Sequence, residues 1–359
     1  MQSLCTILHN HIMQNIPKKL ILSHALPPND TYTQGLDHDQ SSPQLIDQLD
    51  VPHLRRILKL SKPSQKARVL HGAMNTPAEM ATAQGMGWNL EDGELPFAAL
   101  KAIELGLQGI TKTIANHWAF ITLCSWHVQH GQVTFSADAN ALGLTRSESE
   151  EVLAVMKPYF EEDLIHIISH PQLPPGQWLA YSDHFDALSS ASVNRVSGRV
   201  IDDFLIGTGK SSHHKSARTL RRLQNEMQML LYQHPINDHR PVGINSFWIS
   251  GTGTMQANAL QSIQKLYSNI QIIDFSSKDT DILQPLSPQW VSKWSAKWEE
   301  IDATILPSYL DAFLNATQDT QISLCNDTAC ITLAPLGISW TRSLKTFLRA
   351  SKISRSLGC

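Results

Sequence analysis

Residues 244–275, INSFWISGTGTMQANALQSIQKLYSNIQIIDF, decide the fold. Ile244 to Ser250 is an apolar-rich run with strand character. Gln256 to Tyr267 reads as a helix, and Ile270 to Phe275 as a second strand. Strand, helix and strand in that order make a βαβ unit, which predicts parallel pairing. The expected fold class is therefore α/β, with a mixed sheet, helices on its faces and the βαβ unit in the C-terminal half. The N-terminal region is expected to be small and mostly helical.

Working outward, Lys215 to Gln233 reads as a long helix whose Leu223, Met227, Leu230 and Leu231 face a core. Trp118 to Leu123 reads as a buried strand with Val133-Thr134-Phe135 as its hairpin partner, and Ile165 to Ser169 and Trp178 to Tyr181 as further strands. Thr145-Arg146-Ser147-Glu148 is a capping box opening a helix through Met156, and Thr76-Pro77-Ala78-Glu79 is another, with Gly85 as its stop. Pro96 opens a helical piece from Phe97 to Leu107, and Leu54, Ile57 and Leu58 mark a helix face before it. Towards the C-terminus, Ser287-Pro288 caps a long helix. Trp290, Trp294 and Trp298 recur every four residues along it, as a core stripe does. Ile322 to Cys325 and Ile331 to Leu333 form a final hairpin. The expected division is an N-terminal segment and linker (1–50), a helical region (51–110), an α/β domain (111–335) and a C-terminal tail (336–359).

Composition narrows the function classes. The 359 residues carry a formal net charge of −3, with 42% hydrophobic and 17% charged residues. Typical soluble domains hold about 25% charged residues. The near-neutral balance excludes a disordered charged tail and a globally basic nucleic-acid binder. No apolar run approaches the roughly 18 residues of a spanning helix. Met1 to Leu8 lack Lys and Arg, and the apolar run breaks at His9-Asn10-His11, so no secretory signal is read and the cytoplasm is the expected compartment. The five cysteines, Cys5, Cys124, Cys325, Cys330 and Cys359, form no CxxC pair. Free thiols are expected, with Cys325 and Cys330 flanking a turn as neighbours across a hairpin.

Three polar constellations stand out. His234-Pro235-Ile236-Asn237-Asp238-His239-Arg240 follows the long helix, which Pro235 ends at His234. Its imidazoles, amide and guanidinium suit a phosphate or carboxylate, while the simpler reading is a solvated loop in which Asn237-Asp238 closes a turn. Ser250-Gly251-Thr252-Gly253 reads as a strand-to-helix turn, either an anion cradle or simply a tight turn. Its dinucleotide fingerprint is incomplete, because Gln256 holds the third glycine position. Gly207-Thr208-Gly209-Lys210-Ser211 resembles the tail of a phosphate-binding loop, but Phe204 stands where the first glycine belongs. Lys210, Lys215, Arg218, Arg221 and Arg222 still form a local positive run, which reads as a solvated helix face. The sixteen histidines show no metal-ligand spacing: His166 and His170 lie on a strand, His213-His214 lack nearby carboxylates, and no HExxH occurs. No metal and no cofactor are expected.

The runs Leu220 to Leu231, His234 to Arg240 and Ile244 to Gly253 resemble a bacterial family whose members are labelled phosphoglycerate mutase or RpfE-type regulatory protein. Cys124-Ser125-Trp126-His127-Val128, Phe160-Glu161-Glu162-Asp163, Asn194 to Arg199 and Leu324-Cys325 extend the likeness over roughly residues 51–335. Ser125 and His127 depart from the His and Gln of that family around Trp126. The archaeal-type cofactor-independent phosphoglycerate mutases have an Asn, an aromatic-rich strand and a Gly-x-Gly turn similar to Asn245 through Gly253. Those two-metal enzymes also need an Asp-Gly metal ligand set, a Ser nucleophile and an Asp/His cluster. Asp92-Gly93 lacks the preceding apolar strand, and the other motifs are not found. The resemblance thus implies phosphate-type anion recognition in a regulatory, non-catalytic module, the alternative being a metal-dependent phosphomutase or phosphohydrolase. His234, Asn237, Arg240, Asn245, Ser250, Gly251 and Gly253 are the candidate anion-binding residues. A small anionic ligand is the expected partner, with no membrane and no nucleic acid.

Overall fold

The computed structural model describes residues 17–26, 48–69, 72–107, 117–129, 131–208, 214–255, 269–276, 288–315 and 319–336. In chain order the elements begin with β1 (Lys19–Ser23), α1 (Pro52–Leu60), β2 (Ser61–Arg68), α2 (Pro77–Gly85) and α3 (Phe97–Glu104). There follow β3 (Trp118–Gln129), β4 (Gln132–Asp138), α4 (Arg146–Glu162), β5 (His166–Ile168), β6 (Gln177–Tyr181) and α5 (Val193–Val196). The last part holds α6 (His214–Tyr232), β7 (Ser246–Ser250), β8 (Ile270–Asp274), α7 (Pro288–Thr304), α8 (Leu306–Leu314), β9 (Gln321–Cys325) and β10 (Ala329–Pro335). The fold is mixed α/β, with two five-stranded sheets among the described residues. The contacts divide into two compact units. One comprises residues 1–69, 77–88 and 261–359, the other residues 70–76 and 89–260. This division cuts across the segments 1–50, 51–110 and 111–335 expected from composition, because strands far apart in sequence share one sheet.

The first unit is built on a mixed sheet in the order β2-β10-β9-β1-β8. β1 runs parallel to both β8 and β9, and β10 pairs antiparallel with β9 and β2. Leu20 and Leu22 of β1 are fully buried, although Lys19–Ser23 lies in the stretch expected to be N-terminal segment and linker. Trp294, Trp298 and Ile301 of α7 pack with Tyr309 and Phe313 of α8 in the core of this unit. The Trp298 indole donates to the Ala25 carbonyl at 2.9 Å. The tryptophan stripe is thus a core face from Trp294 onward; the Trp290 side chain lies outside the described residues. Buried Asp302 of α7 accepts from the Leu54 amide at 2.8 Å and the His53 amide at 3.2 Å, which satisfies two orphan donors at the start of α1.

The second unit is built on an antiparallel sheet in which long β3 pairs with β4, β6 and β7, and β5 pairs with β6. The pleat sorts side chains between two clusters. Ala119, Ile121 and Leu123 join Phe247, Ile249, Trp178 and the helix residues Val152, Met156 and Phe160. Cys124 and Trp248 face the other way, onto Phe135, Val196 and Ile201. α4 opens with the expected capping box, Thr145 accepting from the Glu148 amide and Glu148 accepting from the Thr145 amide. α6 buries Leu220, Leu223, Met227 and Leu231.

The βαβ unit is where expectation and structure part. Both strands exist, but β7 pairs antiparallel with β3 in one sheet, while β8 pairs parallel with β1 in the other. Apolar runs show that a strand is buried and do not name its partner. The parallel neighbour of β8 is β1. The expected helix Gln256 to Tyr267 lies outside the described residues.

Candidate functional site

The loop after α6 spends its polar groups on its own architecture. His234 caps the short turn Pro235–Asn237, its ring accepting from the Ile236 amide at 3.3 Å. The Asn237 amide donates to the Leu231 and Ile244 carbonyls, both at 2.9 Å, and accepts from the Ile244 amide at 2.8 Å. It therefore ties the end of α6 to the approach of β7. Arg240 donates to the Leu142 carbonyl at 2.8 Å and forms an ion pair with Glu148. Bonds from the Thr145 backbone and hydroxyl, aided by Arg240, hold the Glu148 carboxyl down at about 2. Asn245 both donates to and accepts from the Trp126 main chain, each bond 2.7 Å, beside the irregularity between Ser125 and Trp126 in the pairing of β3 with β4.

The glycine turn is equally closed. Ser250 ends β7 opposite Phe120. Gly251 has φ +67°, and a Cβ there would stand 2.9 Å from the Phe120 ring. Gly253 has φ +135°, and its Cβ would stand 2.3 Å from the Glu94 carbonyl oxygen. Fully buried Thr252 donates to the Leu188 carbonyl at 2.5 Å, and its hydroxyl lies 2.7 Å from that of Ser190. These glycines permit a close backbone approach to Phe120 and Glu94. Loop and turn sit at opposite ends of five-residue β7, about 17 Å apart along it. The structure does not bring His234, Asn237 and Arg240 to Gly251 and Gly253. Asp92 of the Asp-Gly pair is also engaged, accepting from the Met74 and Asn75 amides at 2.7 and 2.8 Å.

An open groove lies instead along α6. Arg218, Arg221, Arg222 and Asn225 line a cavity of about 510 Å³ together with Ile206, Gly207 and Ala217. A second cavity of about 540 Å³ shares Arg221 and Asn225 with it and continues past Gln228 and Tyr232 to Trp126, Val128 and Asn245. One end is thus cationic, while the second cavity is lined by amides, by the Asp202 carboxylate and by apolar side chains. Val128 and Tyr232 stand 68% and 81% exposed, so the second cavity is uncovered there. Arg221 is braced by a 2.7 Å bond from its Nε to the Ile206 carbonyl. Arg222 is partly neutralised by Asp163 at 2.5 Å and Glu226 at 3.5 Å. Of the residues expected to bind an anion, only Asn245 lines the groove, and its amide is already bonded to Trp126. Gly207 lines the cationic end, whereas Gly209 to Ser211 lie outside the described residues.

The groove carries a signal in the sequence. Arg218, Arg221, Asn225, Gln228 and Tyr232 recur at intervals of three and four, which places them on one helical stripe. That stripe runs beside the buried one and is largely exposed, as the reading of a solvated helix face expects.

A second polar cluster sits at the carboxyl ends of the parallel strands in the other unit. His24, at φ 53°, places Nδ1 3.0 Å from the Ser23 hydroxyl and 2.9 Å from Asp274, which also accepts from the Ser276 hydroxyl at 2.7 Å. Burial acts to raise the Asp274 pKa, but the bonds from His24 and Ser276 bring it below the usual carboxylate value. Serine and carboxylate meet the same ring nitrogen. This is not the order of nucleophile, base and orienting acid, which uses both nitrogens. Among the described residues no group of three or more His, Cys, Asp or Glu could hold a metal ion, and no helix is long and apolar enough to cross a membrane.

Comparison with known proteins adds little to this geometry. No family model and no curated protein matches the chain. A solved structure, the cofactor-independent phosphoglycerate mutase from Thermoplasma acidophilum DSM 1728, aligns over 89% of this chain and 90% of its own, at 13% identity and a TM-score of 0.31. A likeness of that size assigns neither a fold family nor an activity.

Proposed function

We propose that the protein is a binding module for a small molecule bearing a phosphate or carboxylate, held in the groove along α6 and serving regulation rather than catalysis. One observation carries the reading: three guanidinium groups, those of Arg218, Arg221 and Arg222, line a single cavity that opens into an amide-lined and apolar extension. Guanidinium forks suit phosphate and carboxylate oxygens, and solvent screening holds each such contact at an exposed arginine to about 1 kcal/mol. Asp163 and Glu226 already offset Arg222, so Arg218 and Arg221 are the principal anion contacts. The reading agrees with the resemblance to the RpfE-type, phosphoglycerate-mutase-like family, because α6 contains the Leu220 to Leu231 run on which that resemblance rests. Isothermal titration of the full chain with inorganic phosphate and with 3-phosphoglycerate tests it. Saturable binding by the wild type, weakened about ten- to a hundredfold in R218A/R221A, is the expected result. No binding by the wild type, or equal binding by the double variant, would overturn it.

A further inference from the structure

We propose that Cys325 and Cys330 are a reversible redox pair that a peroxide closes into a cross-strand disulfide. The two residues face each other directly in the β9–β10 hairpin. The Asn326 amide donates to the Ala329 carbonyl at 2.9 Å, while the Cys325 carbonyl turns away from β10 and accepts from Leu26 at 3.2 Å. Hydrogen-bonded and non-hydrogen-bonded pairs alternate along an antiparallel ladder, so Cys325 and Cys330 occupy a non-hydrogen-bonded position. Such pairs hold their Cα atoms about 4.5 Å apart, inside the roughly 4.4–6.8 Å window of a disulfide. Both thiols are free, and Cys325 donates to the Cys330 sulfur across 2.9 Å.

The two sulfurs are not equivalent. The bond from Cys325, with further ones from Thr332 and Ser323, lowers the Cys330 pKa against the opposing effect of burial. The bond to Cys330 together with burial pushes the Cys325 thiol up. Cys330, the sulfur that accepts the bond from Cys325, is therefore the one that attacks as its thiolate, and Cys325, the donor, is the thiol that resolves. Their exposures of 4% and 0% admit only a small oxidant, which favours hydrogen peroxide. In the first step the Cys330 sulfur attacks one peroxide oxygen and the O–O bond breaks, giving a sulfenic acid and hydroxide. In the second, the Cys325 sulfur attacks Cys330, the S–S bond forms, and the hydroxyl leaves as water with the Cys325 proton. Two thiols are oxidised and one peroxide is reduced to two waters. Cys124, buried with a raised pKa and paired across the sheet with Asp138 and Ser246, has no such neighbour and serves as the internal control.

Peptide mass spectrometry of the reduced full chain, titrated with hydrogen peroxide and then blocked with N-ethylmaleimide, tests the proposal. Trypsin releases both cysteines in the single peptide 298–342. That peptide should lose two hydrogens, carry no maleimide and regain both thiols on reduction, while Cys124 stays a thiol. In Cys325→Ser, Cys330 should stop at a sulfenic acid that dimedone traps. In Cys330→Ser, oxidation of Cys325 should slow on the order of tenfold or more. Two unreacted thiols, independent over-oxidation of each sulfur, or equal reactivity in the two single variants would overturn it.

Discussion

The loop His234 to Arg240 and the arginine stripe of α6 are neighbours in sequence with comparable polar content, yet the structure uses them in opposite ways. In the loop, Asn237 closes three hydrogen bonds to the main chain and Arg240 is held by Leu142 and Glu148. On the helix, Arg218 and Arg221 line an open cavity. A polar residue type says what chemistry is available; the bonds it already makes decide whether any is left for a ligand. The loop's polar groups are spent on the scaffold, whereas those of the stripe line an open cavity.

The sharpest way to break this contrast is to disturb the scaffold and look for an effect on binding. Gly253→Ala should be the most costly change, at about 3–4 kcal/mol, because it combines a positive φ with a Cβ 2.3 Å from the Glu94 carbonyl. Chemical denaturation measures it, and phosphate affinity of the remaining folded protein should not change. Asn237→Ala should lower stability by about 2–3 kcal/mol, since the Ile244 N–H and C=O lose this partner, while the Leu231 carbonyl keeps only its bond from the His234 amide. Again the folded fraction should bind as the wild type does.

How much of this was legible in the sequence follows the same physical line. The capping box at Thr145, the hairpin of β3 with β4 and that of β9 with β10 rest on local contacts, and residue type encodes those directly. β2 was invisible because it is an edge strand: Ser61 is buried but most of Lys62 to Arg68 is exposed, and Pro63 sits beside a register shift. β1 was hidden in a stretch that turn residues mark as linker, and losing it removed the partner of β8. The bonds that occupy the loop His234 to Arg240 are hidden from the sequence for a related reason. Spacing shows that Arg240 could reach a phosphate, but only the fold shows that Glu148, 92 positions away, already holds it. The arginine stripe was readable as a helix face, and its groove arises only where loop 201–207 and β3 come alongside.

Two smaller effects sharpen the comparison from the binding side. R218A/R221A should cost about 1.4–2.8 kcal/mol of anion affinity, and about 1 kcal/mol of stability through loss of the Arg221–Ile206 bond. Arg222→Ala should weaken binding less, because Asp163 and Glu226 already share its charge. The pH dependence should be the smallest effect. Glu148 is held at about 2 in the folded state, below the usual glutamate value. Its contribution is fully present above about pH 4.5 and is lost as the pH falls towards 2. Acid unfolding curves of Glu148→Gln should therefore be flatter than wild type across that interval and should match it in slope near neutrality.

The most direct test of where the anion binds is a titration of isotope-labelled full chain with inorganic phosphate, followed by nuclear magnetic resonance of backbone amides and arginine side chains. The account predicts that the shifting signals cluster on Arg218, Arg221, Asn225 and the facing residues near Ile206, with Asn237, Arg240, Gly251 and Gly253 unmoved. Shifts centred on His234 to Arg240 or on Gly251 to Gly253, with the arginine stripe silent, would contradict it.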